Sequence, residues 1–193
     1  MKRQIYPAIM MAVLFTVLLG LIYPLAITGI AQVIFPKQAN GSLVVENGRA
    51  VGSTLIGQPF SDPKYFWGRP SATSPFPYDA ASSSGSNLGP TNQALIDRVT
   101  RRIDDLRAAD PGNTAPIPVD LVTASASGLD PEISPDSARA QAARVAKARG
   151  LSVEQINALI ARHTQAPDLG LLGEPRVNVL MLNLALDGQA PRK

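Results

Sequence analysis

Residues 5–35 read IYPAIMMAVLFTVLLGLIYPLAITGIAQVIF, 31 consecutive residues without a charged side chain. A helix needs about 20 such residues to cross a hydrocarbon core of about 30 Å. This run therefore spans a bilayer with a turn or two to spare. Lys2 and Arg3 precede it, and a far more polar stretch follows. The reading is one N-terminal transmembrane helix tethering a soluble α/β (α+β) domain, with 1–36 as cytoplasmic N-terminus and anchor and 37–193 as the domain. A cleaved signal peptide is the rival, but its apolar region is about 7–15 residues long and ends at a small-x-small site. Here the run is about twice that length and no Ala-x-Ala closes it. A basic N-terminus prefers the cytoplasm, and large domains translocate largely regardless of charge, so Lys37, Arg49 and Lys64 weigh little. The domain is expected outside the cytoplasmic (inner) membrane.

Within the anchor, Ala8, Ala12, Thr16 and Gly20 recur every four residues. On a helix that spacing draws one stripe of small side chains, which lets another helix approach closely. Pro24 and Thr28 continue the row, and Pro24 is expected to kink the helix. The span lacks the ionisable residues that usually mark ion pathways, so this helix is not expected to transport anything by itself.

Eighteen Lys and Arg face 15 Asp and Glu, but Lys2, Arg3, Arg192 and Lys193 sit at the ends. The body between them carries 14 basic and 15 acidic groups, with no basic field for nucleic acid. Cysteine is absent, which excludes thiol catalysis, disulfides and Cys-based metal sites; His163 is the lone histidine, too little for most zinc sites.

Along the domain, residues 44–51 (VVENGRAV) read as a β-hairpin around Asn47-Gly48, and 52–58 as its extended continuation up to Pro59. Residues 59–90 hold six prolines and a Ser/Gly run, the composition of a linker. Yet Phe60, Tyr65, Phe66, Trp67, Phe76 and Tyr78 fall within 19 residues, and disordered segments are poor in aromatics. An ordered loop packed by its own rings is expected. Thr91 caps a helix to about Ala109 with Leu95, Ile96, Val99, Ile103 and Leu106 inward, and Asp97 facing Arg101. Residues 119–124 (VDLVTA) are a strand candidate. Ser134-Pro135 starts a second helix that stops at Gly150. Ser152 and Gln155 make a capping box for a third, with Ile156, Leu159 and Ile160 inward. Residues 175–186 read as a strand, or as a strand that turns helical.

Chemistry is sparse. His163 is the one imidazole base, one turn after Leu159, and reads as a helix-end residue; there is no Gly-x-Ser-x-Gly elbow and no Ser-x-x-Lys. Residues 82–92 (SSSGSNLGPTN) lead into a helix N-terminus, where backbone amides favour anions, but the lysine of a Walker loop is missing. Arg69, beside Tyr65-Phe66-Trp67, fits either partner docking, a carboxylate clamp or a local ion pair. Aromatics and Arg are enriched at interface hot spots, so Tyr65, Phe66 and Arg69 join Ala12, Thr16 and Gly20 as partner-docking candidates. No catalytic or metal residue is assigned.

Several long motifs, in order and over nearly the whole chain, resemble one family: the C subunit of the bacterial Kdp potassium-transporting P-type ATPase. They are Tyr23-Pro24, 40–42 (NGS), Gly52-Ser53-x-Leu55-Ile56-Gly57-Gln58, Tyr65-Phe66-x-Gly68-Arg69-Pro70-Ser71-Ala72 and 85–88 (GSNL). They continue through 118–130 (PVDLVTASASGLD), 133–135 (ISP), Arg144-Val145-Ala146-x-x-Arg149 and Val177-Asn178-x-Leu180-x-Leu182-Asn183. The resemblance implies a non-catalytic subunit of a high-affinity potassium uptake pump, with potassium as the transported ion. It also implies two partners, a channel-like potassium-selecting subunit and an ATP-hydrolysing subunit, and a role in assembly and as a catalytic chaperone that raises ATP affinity. ATP contact would fall at Ser83, Ser84, Gly85, Ser86 and Asn87. The topology argument puts that stretch on the side away from cytoplasmic ATP. A membrane-anchored periplasmic hydrolase and a free-standing tethered binding module are the alternatives.

Overall fold

A computed structural model describes residues 2–189; Arg192 and Lys193 lie outside them. The described residues form two compact units that divide between Val51 and Gly52.

In the first unit, α1 (Lys2–Val17), a π-helical turn (Leu18–Ile22) and α2 (Tyr23–Ile34) join end to end. Together they make one apolar helix over Arg3–Ile34, 32 residues long. At 1.5 Å per residue that is about 48 Å, enough to cross a membrane. The expected distortion at Pro24 takes the form of the π turn. Pro24 has no N–H for the Gly20 carbonyl, and its ring crowds that carbonyl. The helix takes in one extra residue just before it, so that Tyr23 N–H donates to Leu18 O, five residues back. A short α3 (Pro36–Ala39) and the hairpin β1 (Leu43–Glu46)–β2 (Arg49–Ser53) follow. Asn47 (φ 49°) and Gly48 (φ 78°) both take the left-handed conformation that a type I′ turn demands.

In the second unit, the extension expected to Gln58 ends at Ser53. The Ser53 hydroxyl accepts from Leu55 N–H at 3.1 Å and gives the backbone a local turn instead of a ladder. The helix α4 spans Gln93–Ala109 and is capped by Asn92, whose side chain accepts from Ala94 N–H, not by Thr91. Leu95, Val99, Ile103 and Leu106 are half-buried, whereas Ile96 is largely exposed. Asp97 accepts from Gln93 Nε2 at 2.8 Å instead of meeting Arg101.

The strand candidate at 119–124 is a 3-10 turn, Val119–Leu121. Its β-branched composition is overridden by tertiary bonds. Leu121 is buried in the core, while Asp120 accepts from Ser134 N–H and from the hydroxyls of Ser134 and Ser137. Ser134 caps the next helix with Pro135 at its first position, and Gly150 ends it in the left-handed conformation. That helix is not continuous. It breaks at Gln141 into α5 (Pro135–Ala140) and α6 (Ala142–Arg149). The capping box of Ser152 and Gln155 starts α7 (Val153–His163), with Ile156, Leu159 and Ile160 buried.

The short strands β3 (Glu132–Ile133) and β4 (Thr164–Gln165) flank β5 (Arg176–Asn178) in an antiparallel sheet. Ile133 and Thr164 both pair with Val177. After Asn178 the chain turns into α8 (Val179–Gln189). The core lies where the sheet meets these helices, around Val145, Leu159, Ile160, Val177, Leu182 and Leu186. The chain thus combines a unit of mixed helices and small sheet with a unit built on one long apolar helix.

Candidate functional site

The aromatic segment is not packed by its own rings alone. Phe60 and Tyr65 do meet, centroids 5.4 Å apart, but Phe66 is fully buried in the helical core and Trp67 is 7% exposed. Burying this loop requires partners for its backbone. Two carboxamides supply them. Asn183 Oδ1 accepts from Phe66 N–H at 2.8 Å while its Nδ2 donates to Phe66 O at 3.0 Å. Gln141 Oε1 accepts from Trp67 N–H at 2.8 Å while its Nε2 donates to Trp67 O at 3.1 Å. Each side chain thus mimics one rung of a β-ladder. Gln141 is also the residue at which the helix breaks.

Guanidinium groups complete the cage. Arg144 and Arg102 lie over the Trp67 ring, with Cζ 4.6 and 5.3 Å from its centroid. Arg144 donates to Pro63 O, Tyr65 O and Gln141 Oε1, and Arg102 to Leu121 O and Gly68 O. Burial pushes the Arg144 pKa down to about 10, and lowers that of Arg102 as well. These arginines bind backbone carbonyls; they are structural ties.

Tyr65 is half-buried between Arg149 and Lys64 and donates to Asp187 at 3.0 Å; burial and that carboxylate raise its pKa. Arg69 forms a clamp within its own chain, donating to Asp130 at 3.0 Å and to Ala124 O. Of the three docking candidates in the loop, Phe66 has no exposed surface, and Tyr65 and Arg69 keep part of theirs. Ala12, Thr16 and Gly20 are exposed on the apolar helix, and Gly20 falls inside the π turn.

The Ser/Gly stretch runs against residues 125–128. Ser83 Oγ donates to Ser127 O at 3.0 Å. A Cβ on Gly85 would sit 2.8 Å from Ala126 O, and one on Gly128 (φ 68°) 2.6 Å from Ser84 O. Small residues are needed here because two backbones touch. Ser71 ties in a third segment, donating to Gly128 O at 2.7 Å and accepting from Tyr78 N–H at 2.9 Å. Tyr78 in turn donates to Arg69 O, and burial raises its pKa to about 12. Ser86 lines a cleft of ≈ 390 Å³ with Ser71, Thr73 and Arg98. Asn87 takes the left-handed conformation. At the start of α4 the Ala94 N–H is met by Asn92 Oδ1, the chain's own cap.

His163 ends α7, and burial together with Arg162 lowers its pKa. The only Ser–Asp cluster described above, Asp120 with Ser134 and Ser137, caps α5, and Ser137 is fully buried. Composition hints at none of the long-range ties of Gln141, Asn183 and Arg144; only the density of aromatics signals that something must hold the loop.

A family model described as the c chain of K+-transporting ATPase (KdpC) matches residues 5–188. A potassium-transporting ATPase KdpC subunit of Variovorax paradoxus (strain S110) is 66% identical over 190 residues, covering 98% of both chains. The subunit of the same name from Polaromonas naphthalenivorans (strain CJ2) is 62% identical over 191 residues, 99% of this chain and 97% of its own. That of Dechloromonas aromatica (strain RCB) is 61% identical over 187 residues, 97% and 98%.

Proposed function

Because the chain belongs to the family of K+-transporting ATPase c chains, we propose that it is a non-catalytic accessory subunit of an ATP-driven potassium uptake pump. It sits in the cytoplasmic (inner) membrane by one helix, N-terminus inside, with residues 37–193 on the extracytoplasmic side. Its partners are a channel-like potassium-binding subunit and an ATP-hydrolysing subunit. Its work is to hold the assembled complex together, and any effect on ATP affinity is indirect.

The observation that carries this reading is the apolar helix Arg3–Ile34, whose most hydrophobic part is nowhere buried within the chain. A lone helix of that length finds its packing on lipid or on another subunit. The row Ala8, Ala12, Thr16, Gly20 gives it a face that another helix can approach, and nothing lies within 4 Å of a Cβ placed on Gly20. The exposed parts of Tyr65 and Arg69 belong to the domain's share of the contact. The Ser83–Asn87 stretch serves packing against 125–128, not nucleotide binding.

The test is Gly20→Leu in the full-length chain. Leucine would hold the partner helix away, so the pump's other subunits should co-purify in reduced amount while the domain resists protease as before. Unchanged co-purification would exclude the stripe as the contact.

A further inference from the structure

Between β4 and β5 the backbone reverses at residues 166–175, and the tip carries Leu169, Leu171 and Leu172, exposed by 91%, 87% and 62%. The turn is ordered. Asp168 and Leu172 exchange N–H···O bonds of 2.8 and 2.9 Å, Gly170 N–H donates to Pro167 O, and Leu171 N–H to Asp168 O. Leu169 is held at φ 54°, a left-handed conformation that costs a leucine about 1–2 kcal/mol. Glycine or asparagine would suit that position better if solubility were the only demand. Strain of this kind persists where the surroundings enforce it, and it gathers at functional surfaces. Three adjoining exposed leucines mark an interaction surface.

What covers the tip is indicated by the ground beside it. A cleft of ≈ 560 Å³ adjoins the turn, lined by Asp130, Glu132, Asp136 and Glu174 with Arg69 and Arg176. Arg176 ties the two features together, pairing with Asp168 at the base of the turn (3.3 Å) and with Glu132 in the cleft (3.2 Å). Segments that lie in a lipid interface carry Trp, Tyr, Lys or Arg beside their apolar residues. Here the leucines are flanked by Asp168 and Glu174, and the nearest arginine is already held by two carboxylates.

We propose that the Leu169–Leu172 turn and its acidic cleft form one docking surface for another subunit of the same ATPase, which presents an apolar socket rimmed by Lys or Arg. The inference rests on the chain being a subunit of that pump, and on nothing about which side of the membrane the domain occupies. The locked turn means little ordering is needed on docking.

The test uses the complete pump in mild detergent, with p-benzoylphenylalanine in place of Leu171. Illumination is expected to join the chain to one of the pump's other subunits, identified by mass spectrometry. In parallel, the triple variant Leu169→Asn, Leu171→Asn, Leu172→Asn keeps a residue tolerant of the left-handed turn. It should lower co-purification of that subunit by about tenfold or more, given what three leucines lose when their burial is removed. Glu174→Lys, on the exposed rim, should weaken it in the same direction without touching the turn's backbone bonds. Adducts only with lipid, adducts only with a second copy of this chain, or no adduct in an intact pump would each overturn the proposal. A wild-type chain that fails to bring down any other subunit would overturn the subunit reading as well.

Discussion

Gln141 and Asn183 carry more of the fold than their exposed-residue chemistry suggests. Each satisfies both the N–H and the C=O of a buried aromatic residue. Gln141→Leu keeps the volume but leaves two backbone groups of Trp67 and one donor of Arg144 unmet. At about 1–3 kcal/mol for each buried unsatisfied group, we expect a loss of at least about 2 kcal/mol, read from the urea midpoint of the full-length chain in detergent. Asp120 makes a prediction in pH. Burial works to raise its pKa, but the bonds from Ser134 N–H and the Ser137 and Ser134 hydroxyls win and hold it below the ordinary 3.8. The unfolded chain therefore takes up its proton first as pH falls, and native stability declines. The contribution is complete above about pH 4 and is lost as pH drops through the folded value. Asp120→Asn should flatten that limb of a stability–pH profile. A profile of unchanged slope would remove Asp120 from the account. At this scale sequence is readable where partners are near. Ser134, Ser152 and Gln155 act three residues away, and their caps stand as expected. Gln141 acts 74 residues away, and no local pattern points there.

At the scale of elements, three loop segments meet in a seam of small residues around Ser71, Gly85 and Gly128. Gly128→Ala would put a methyl group 2.6 Å from both Ser84 O and the Thr73 side chain, in a left-handed backbone. We expect a cost of about 2 kcal/mol or more, against no measurable change for Gly89→Ala, which faces open space. Equal urea midpoints for the two variants would show that the seam yields. The Ser/Gly composition near 82–92 is compatible with an anion loop, a linker or a tight crossing, and sequence alone does not choose among them. The same ambiguity explains residues 119–124, where a β-branched run is bent into a 3-10 turn by a carboxylate serving another helix. Where one period dominates locally, as in α7, or turn chemistry is strict, as at Asn47-Gly48, the element is legible.

For the whole molecule, the long apolar helix is legible from length alone, whereas the arrangement of the domain is not, because its strands are only two or three residues long in the main sheet. The proposed orientation predicts that a reporter fused after Lys193 is active only if it works outside the cytoplasm. In sealed vesicles given a photoreactive ATP analogue on the cytoplasmic face alone, residues 82–92 should remain unlabelled. Specific labelling there would reverse the proposed orientation. His163→Ala should leave transport intact, since His163 is simply the last residue of α7; a pump that assembles but fails to transport would show that the imidazole is needed. The carboxamide clamp also bears on the order of events in biosynthesis. Phe66 waits for Asn183, 117 positions further along the chain. Until α8 has been synthesised, Phe66 has neither the carboxamide that meets its backbone nor the leucines of that helix to pack on. Closing so long a loop slows folding, so the domain is expected to acquire its full protease resistance only once α8 is in place.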